Sequence, residues 1–189
     1  MVKSWRTVAL VLSVLACVGC GANAPRGTDA AGTNTTETGN GEAAAVPYTD
    51  ASHRYRIDAP GRMAPTSDAS AAVVGPSERL EVTILTGSDA GDPGATARRD
   101  AASLGTSLSS FKLVSGPAAI TLNGAPVQKL VYTWSDGSSP VTGKAVGLTS
   151  VRYYFRKDAT TLAVVTYGIV SNRYDPQGAD DIALTFKWL

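Results

Sequence analysis

Histidine and cysteine are scarce in this chain of 189 residues, and their scarcity excludes several kinds of site. The one histidine, His53, cannot build a metal site of several histidines. The two cysteines, Cys17 and Cys20, both lie near the N-terminus, so we expect no disulfide in a folded domain. Neither a G-x-S-x-G nucleophile elbow nor a phosphate-binding glycine loop is present. We therefore expect no catalytic residue, no metal and no cofactor.

A surplus of positive charge is also missing. Without Lys3 and Arg6, which lie in an N-terminal leader, the chain carries 15 basic and 16 acidic residues. Neutralising a run of phosphates takes many unpaired cations, so we expect no nucleic-acid partner.

Residues 1–20 have the layout of a secretory signal peptide. Lys3 and Arg6 form the charged start, and residues 8–18 form an apolar run that is too short to span a bilayer. Small residues and a cysteine follow, which resembles the lipobox of bacterial lipoproteins. The resemblance implies that this cysteine is lipidated and becomes the new N-terminus. An uncleaved hydrophobic anchor and an ordinary secreted protein are the alternatives.

Two cysteines compete for the lipid. Residues 14–17 match the usual residue classes but give a short signal, whereas residues 17–20 place an unusual cysteine first and are followed by a flexible Gly21. We expect lipidation at Cys20 or Cys17. Residues 21–46 are rich in Gly, Ala, Thr and Asn, without an apolar period, and predict a disordered tether.

Residues 47–189 predict one domain organised around a long hairpin. Val151, Tyr153 and Phe155 alternate with polar or charged neighbours, which is the period of a strand with one buried face. Residues 161–170 are apolar on both sides, which predicts a central strand that is covered on both faces. Further strands are predicted over residues 53–57, 70–74, 80–85, 111–114, 118–122 and 126–134, with a polar loop over 135–143.

Three local patterns mark turns and helix starts. Asp92 followed by a proline predicts a helix over residues 93–108, and Asp175 followed by a proline predicts a second, short helix. Asn123 with Gly124 predicts a two-residue hairpin turn. Many antiparallel strands with a helix in mid-chain and another at the end predict an α+β fold, an antiparallel sheet sandwiched with helices.

This order of elements resembles the PsbP-like superfamily, which includes bacterial lipoproteins of LpqN type. The resemblance covers nearly all of residues 47–189 and is carried by Tyr48, residues 55–60, the mid-chain helix, and residues 123–126, 152–155 and 181–188. It implies a binding or assembly protein that is not an enzyme. No site residue follows from it.

Aromatic residues on the strands are the candidate binding residues. Tyr153 and Tyr154 are adjacent and point to opposite faces, so we expect some of the group to lie outside the core and to contact a partner or an apolar ligand. The candidates are Tyr132, Trp134, Tyr153 and Tyr154, while packing under the helices is the alternative. The arginines at 54, 56, 152 and 156 could form a basic strip, or be ordinary solvated or paired side chains.

Two functions remain open. The first is a lipid-anchored, extracytoplasmic module that binds or assembles an envelope protein without catalysis. The second is a carrier or sensor of an apolar or glycolipid ligand, held between the sheet and the small-residue stripe of the mid-chain helix that contains Ala97 and Ala101.

Overall fold

The computed structural model describes residues 45–52, 54–66, 70–75, 77–138 and 143–189. The predicted signal peptide, both cysteines, nearly all of the predicted tether and His53 lie outside these residues. In chain order the elements are β1 (Val46–Thr49), β2 (Tyr55–Ala59), β3 (Ala64–Pro65), β4 (Ser70–Val74), β5 (Glu78–Thr86), α1 (Pro93–Ser107), β6 (Lys112–Leu122), β7 (Ala125–Ser138), β8 (Ala145–Asp158), β9 (Thr161–Val170), α2 (Pro176–Leu184) and β10 (Lys187–Trp188).

The strands form two antiparallel sheets. The large sheet has seven strands in the order β3-β4-β5-β9-β8-β7-β6, and the small sheet has three in the order β1-β2-β10. The predicted hairpin is formed by β8 and β9, and β9 is the middle strand of the large sheet. Most side chains of β9 on both faces are buried, which confirms the predicted central position.

Helix α1 covers one face of the large sheet. Asp92 caps it by accepting a hydrogen bond from the backbone N–H of Ala95, as its position before a proline predicts. Ala97 and Leu104 of α1 pack with Leu130, Tyr154 and sheet residues around them. The small side chain of Ala97 lets the helix lie close to the strands.

The other face of the large sheet is covered by α2 and the small sheet. Ala179 and Ala183 of α2 pack into one core with Tyr55 and Ile57 of β2 and Phe186, which follows the helix. Asp175 caps α2 by accepting from two backbone N–H groups, as predicted. The described domain is therefore a sandwich of helix, large sheet, and helix with small sheet, and the predicted α+β class is confirmed.

Two details differ from the expectations drawn from sequence. Residues 111–114 and 118–122 do not form separate strands, because β6 continues through bulges around Gly116. Gly116 has φ of 88°, and an added Cβ there would clash with the carbonyl oxygen of Lys129, so glycine is required. The predicted polar loop over residues 135–143 is shorter, because β7 and β8 keep pairing at Ser135 and Asp136.

No helix among the described residues is long and apolar enough to span a membrane.

Candidate functional site

The aromatic candidates lie mainly in the interior. Tyr132, Tyr153 and Tyr154 are 3%, 0% and 0% exposed, and Trp134 is half-buried. The two adjacent tyrosines do point to opposite faces, but α1 covers one face and α2 with the small sheet covers the other. The premise that one of them must lie outside the core is therefore wrong. A partner could touch these tyrosine rings only if the layers separated.

Tyr154 instead belongs to a polar cluster that fastens α1 to the sheet, which we call the α1 clamp. Its hydroxyl donates to Oδ2 of Asp100 on α1 at 2.9 Å, and Nη1 of Arg152 donates to the same oxygen at 2.9 Å. Burial raises the pKa of Tyr154, and the negative charge of Asp100 raises it further. The hydroxyl therefore stays protonated and remains a donor.

Tyr153 belongs to a matching cluster on the opposite face, the α2 clamp. Its hydroxyl donates to Oδ1 of Asp180 on α2 at 2.6 Å, and Nζ of Lys129 donates to the same oxygen at 2.6 Å. Burial raises the pKa of Tyr153, and the hydrogen bond to Asp180 adds to the rise. Two neighbouring residues of β8 thus hold the two helices on either side of the sheet.

The four arginines do not form a basic strip. Arg152 lies in the α1 clamp, and Arg54 is paired with Asp50 at 2.7 Å. Arg156 donates from Nε to the backbone carbonyl of Asp158. Arg56 points outward from β2 and has no such partner among the contacts of the described residues.

Arg56 lines a groove on the outer face of the small sheet. Strand β2 alternates, so that Tyr55 and Ile57 enter the core while Arg56 and Asp58 face outward. The groove is open to solvent on its outer side and has a volume of about 470 Å³. We call it the small-sheet groove; the residues used below are Tyr48, Thr49, Arg56, Asp58, Leu184 and Lys187.

Three polar side chains cross the floor of this groove in one row. Thr49 of β1 and Lys187 of β10 lie directly opposite Arg56, one on each side. Neither Arg56 nor Lys187 forms a side-chain hydrogen bond or an ion pair within the described part of the chain. Like charges directly opposite each other on neighbouring strands are destabilising. Asp58 lies on the same face of β2 but forms no ion pair with either cation among the described contacts, so it offsets the repulsion only in part.

The wall of the groove beside α2 is held by specific hydrogen bonds. The backbone N–H of Asp58 donates to Oγ1 of Thr185 at 2.9 Å, and Nδ2 of Asn123 donates to the carbonyl oxygen of Leu184 at 2.7 Å. Asn123 and Gly124 have φ of 50° and 77° and form the predicted hairpin turn. The turn therefore also fixes the end of α2 at the groove.

Sequence reasoning missed this site. In the sequence, Arg56 belongs to the expected basic strip and to residues 55–60 of the resemblance. Lys187 belongs to the closing segment of the resemblance, and no sequence pattern joins the two residues. The alternation of residues 54–58 places Arg56 and Asp58 on one face, but β10 is two residues long and has no detectable period. The predicted ligand space between α1 and the sheet is occupied by Ala97, Leu130 and Leu162, each 0% exposed.

The described residues give no indication of a metal site. Within residues 45–189, apart from the short stretches that the structure leaves undescribed, no three His, Cys, Asp or Glu residues are grouped so that they could hold a metal ion.

No family model matches the chain, and no curated protein matches its sequence. Several solved structures are similar to it, among them the following three. A protein from Bacteroides thetaiotaomicron VPI-5482 is 9% identical with a TM-score of 0.49, and the match covers 76% of this chain and 48% of that one, so this chain spans about half its length. LpqN from Mycobacterium tuberculosis, described as involved in cell envelope biogenesis, is 14% identical with a TM-score of 0.45, covering 76% and 89%. The Ran-binding protein Mog1p from Saccharomyces cerevisiae is 12% identical with a TM-score of 0.49, covering 76% and 94%.

Proposed function

We propose that this chain is a lipid-anchored, extracytoplasmic binding or assembly module of the cell envelope, and that it catalyses no reaction. The leader supports the location, because a charged start and a short apolar run precede Cys17 and Cys20. Two acyl chains or more would anchor the protein stably, since each buried methylene contributes about 0.8 kcal/mol. The resemblance to PsbP-like domains, which are typically not enzymes, supports the binding role.

The small-sheet groove is the observation that carries the binding role. It presents Arg56 and Asp58 of β2 and Lys187 of β10 to solvent. The strands are backed by a core that includes Tyr55 and Ile57, with exposures of 0% and 1%. The buried core fixes the backbone that carries these side chains, so a partner has to order only the exposed side chains themselves when it binds. We therefore assign partner binding to this groove.

The carrier of an apolar or glycolipid ligand is the alternative. The space predicted for this ligand beneath α1 is filled by side chains that pack between α1 and the large sheet, among them Leu130 and Leu162. A ligand there would have to displace α1 and break the α1 clamp. The structure therefore favours binding at the surface groove over binding under the helix.

The test compares two double variants, each of which replaces one arginine and one lysine with glutamine. R56Q/K187Q neutralises the groove, whereas R98Q/K112Q neutralises an exposed arginine of α1 and the exposed first residue of β6, which have no ion pair among the described contacts. Each variant and the unaltered chain are crosslinked in intact cells and purified from detergent-solubilised envelopes. Co-purifying proteins are then identified by mass spectrometry.

We expect a specific partner that is recovered with the unaltered chain and with R98Q/K112Q but is lost with R56Q/K187Q. Equal recovery with both double variants would exclude the groove as the binding surface. Recovery of no specific partner with any of the three would exclude the protein-binding role itself.

A further inference from the structure

We propose that the small-sheet groove binds a phosphate monoester or diester that carries hydroxyl groups, that is, a polyol phosphate. The proposal rests on the proposed function, because it assigns a ligand to the same groove. A protein partner that uses Arg56 and Lys187 would compete with this ligand. The phosphate would lie over Arg56 and Lys187, and the hydroxyl groups would lie toward Asp58.

The floor of the groove matches the phosphate. Side chains directly opposite on neighbouring strands have Cβ atoms about 5 Å apart. One phosphate can therefore reach the guanidinium of Arg56 and the ammonium of Lys187 together, with the hydroxyl of Thr49 on the other side of Arg56. Arginine offers a planar fork to two oxygens of a phosphate, and lysine adds a compact positive charge. An anion between the two cations would also remove their mutual repulsion.

Asp58 determines what else the ligand must carry. It lies on the same face of β2 as Arg56, two residues further along the strand. No described side chain donates a hydrogen bond to its carboxylate. A second anionic group would be repelled at this position, whereas a hydroxyl group can donate to the carboxylate oxygens. The pairing of two cations with one free carboxylate thus fits one phosphate and adjacent hydroxyls better than a polyanion.

The rest of the lining is mixed. Pro47 lies opposite Asp58 on the outer face of β1, Leu184 and Thr185 line the side toward α2, and Tyr48 lies opposite Ile57, on the side of β1 that faces the core. Pro47 and the accessible part of Leu184 can pack against the C–H groups of a polyol or the first carbons of an attached chain. The ligand could be a free phosphoester or the headgroup of a lipid in the membrane to which the leader would tether the domain. Both sources present the same phosphate and hydroxyl groups to the groove.

The experiment uses the full chain in micelles of a non-ionic detergent and follows amide and arginine side-chain resonances by NMR. In one arm glycerol 3-phosphate is titrated, with glycerol as the probe that lacks phosphate. In the second arm the micelles are doped with phosphatidylglycerol, with diacylglycerol as the matched lipid. Both arms are repeated with R56Q/K187Q and with R98Q/K112Q.

We expect the resonances of Arg56 and Lys187 to shift with at least one phosphate probe and not with its matched control. The apparent dissociation constant should rise at least tenfold in R56Q/K187Q, equivalent to about 1.4 kcal/mol, and change less than twofold in R98Q/K112Q. Shifts with glycerol 3-phosphate but not with phosphatidylglycerol would identify a free phosphoester, and shifts with phosphatidylglycerol alone would identify a lipid. Shifts with both would support the shared phosphate and hydroxyl chemistry, and the probe with the lower apparent dissociation constant would identify the source. No shift with either probe, or equal weakening in both double variants, would overturn the phosphate assignment. A protein partner that still depends on the groove in the crosslinking experiment would leave the proposed function intact.

Discussion

The α2 clamp gives the sharpest test of how the layers are held together. In D180A, the hydroxyl of Tyr153 loses its acceptor and the ammonium of Lys129 loses its counter-ion, both at 2.6 Å in the intact chain. A hydrogen bond to a charged group contributes about 1.5–3 kcal/mol, and an unsatisfied buried hydroxyl costs about 1–3 kcal/mol. The side chain of Asp180 is 27% exposed, so water compensates part of the loss. We expect D180A to lower the free energy of unfolding by about 2–3 kcal/mol.

The neighbouring residue supplies the control. Asp181 lies on the same helix and is exposed, with one hydrogen bond from Gln177. D181A should therefore change stability by less than about 0.5 kcal/mol. A double-mutant cycle of D180A with Y153F should give a coupling energy of about 1–2 kcal/mol, because both changes remove the same hydrogen bond.

Urea unfolding at pH 7, followed by far-UV circular dichroism, measures all of these variants. If D180A is no less stable than D181A, the clamp does not hold α2 on the sheet. A coupling energy near zero would show that Tyr153 and Asp180 contribute independently, which the short hydrogen bond does not allow.

Three further predictions concern pH, the hairpin turn and the anchor. Burial, together with Glu78, raises the pKa of Tyr167 to about 12 in the folded chain, against about 10 in the unfolded chain. The stability that the protonated hydroxyl contributes to the fold is therefore complete below about pH 10 and is lost as the pH rises from about 10 to about 12. The urea midpoint should fall over that range, less steeply in Y167F. G124A should lower the free energy of unfolding by about 1 kcal/mol in urea titrations, because φ at Gly124 is 77° and alanine is strained there; an unchanged midpoint would contradict the turn geometry. Changing Cys17 and Cys20 to serine should release the protein into the soluble fraction without altering its thermal unfolding, and retention after a high-salt wash would refute the lipid anchor.

The elements that were predicted well are those whose causes are local. Asp92 and Asp175 each precede a proline, and both cap a helix, because the capping hydrogen bonds join residues two or three positions apart. The Asn123 turn follows from backbone conformations that asparagine and glycine tolerate. The alternation of β8 and the two-sided apolar pattern of β9 identified the central hairpin, since period and burial are properties of each strand.

The interior roles of the aromatic residues depended on the tertiary structure. Alternation along β8 correctly places Tyr153 and Tyr154 on opposite faces, but it does not say what covers each face. Their partners Asp180 and Asp100 are 27 and 54 residues away, on helices whose polar residues look like ordinary solvent-facing ones in the sequence. A hydrogen bond between such distant residues exists only after the layers pack.

The sequence by itself determined the leader pattern, the two capped helices, the hairpin turn and the α+β class, because each depends on residue types at short spacing. Only the tertiary structure determined the small-sheet groove. Its floor joins Thr49, Arg56 and Lys187, so the first and last strands of the described chain meet on either side of β2. Strands of four and two residues carry too little period to be recognised, and they are held in place by pairing with β2 and by the core beneath the sheet. The charges of Arg56 and Lys187 look ordinary in the sequence and become neighbours only when the fold brings β2 and β10 together.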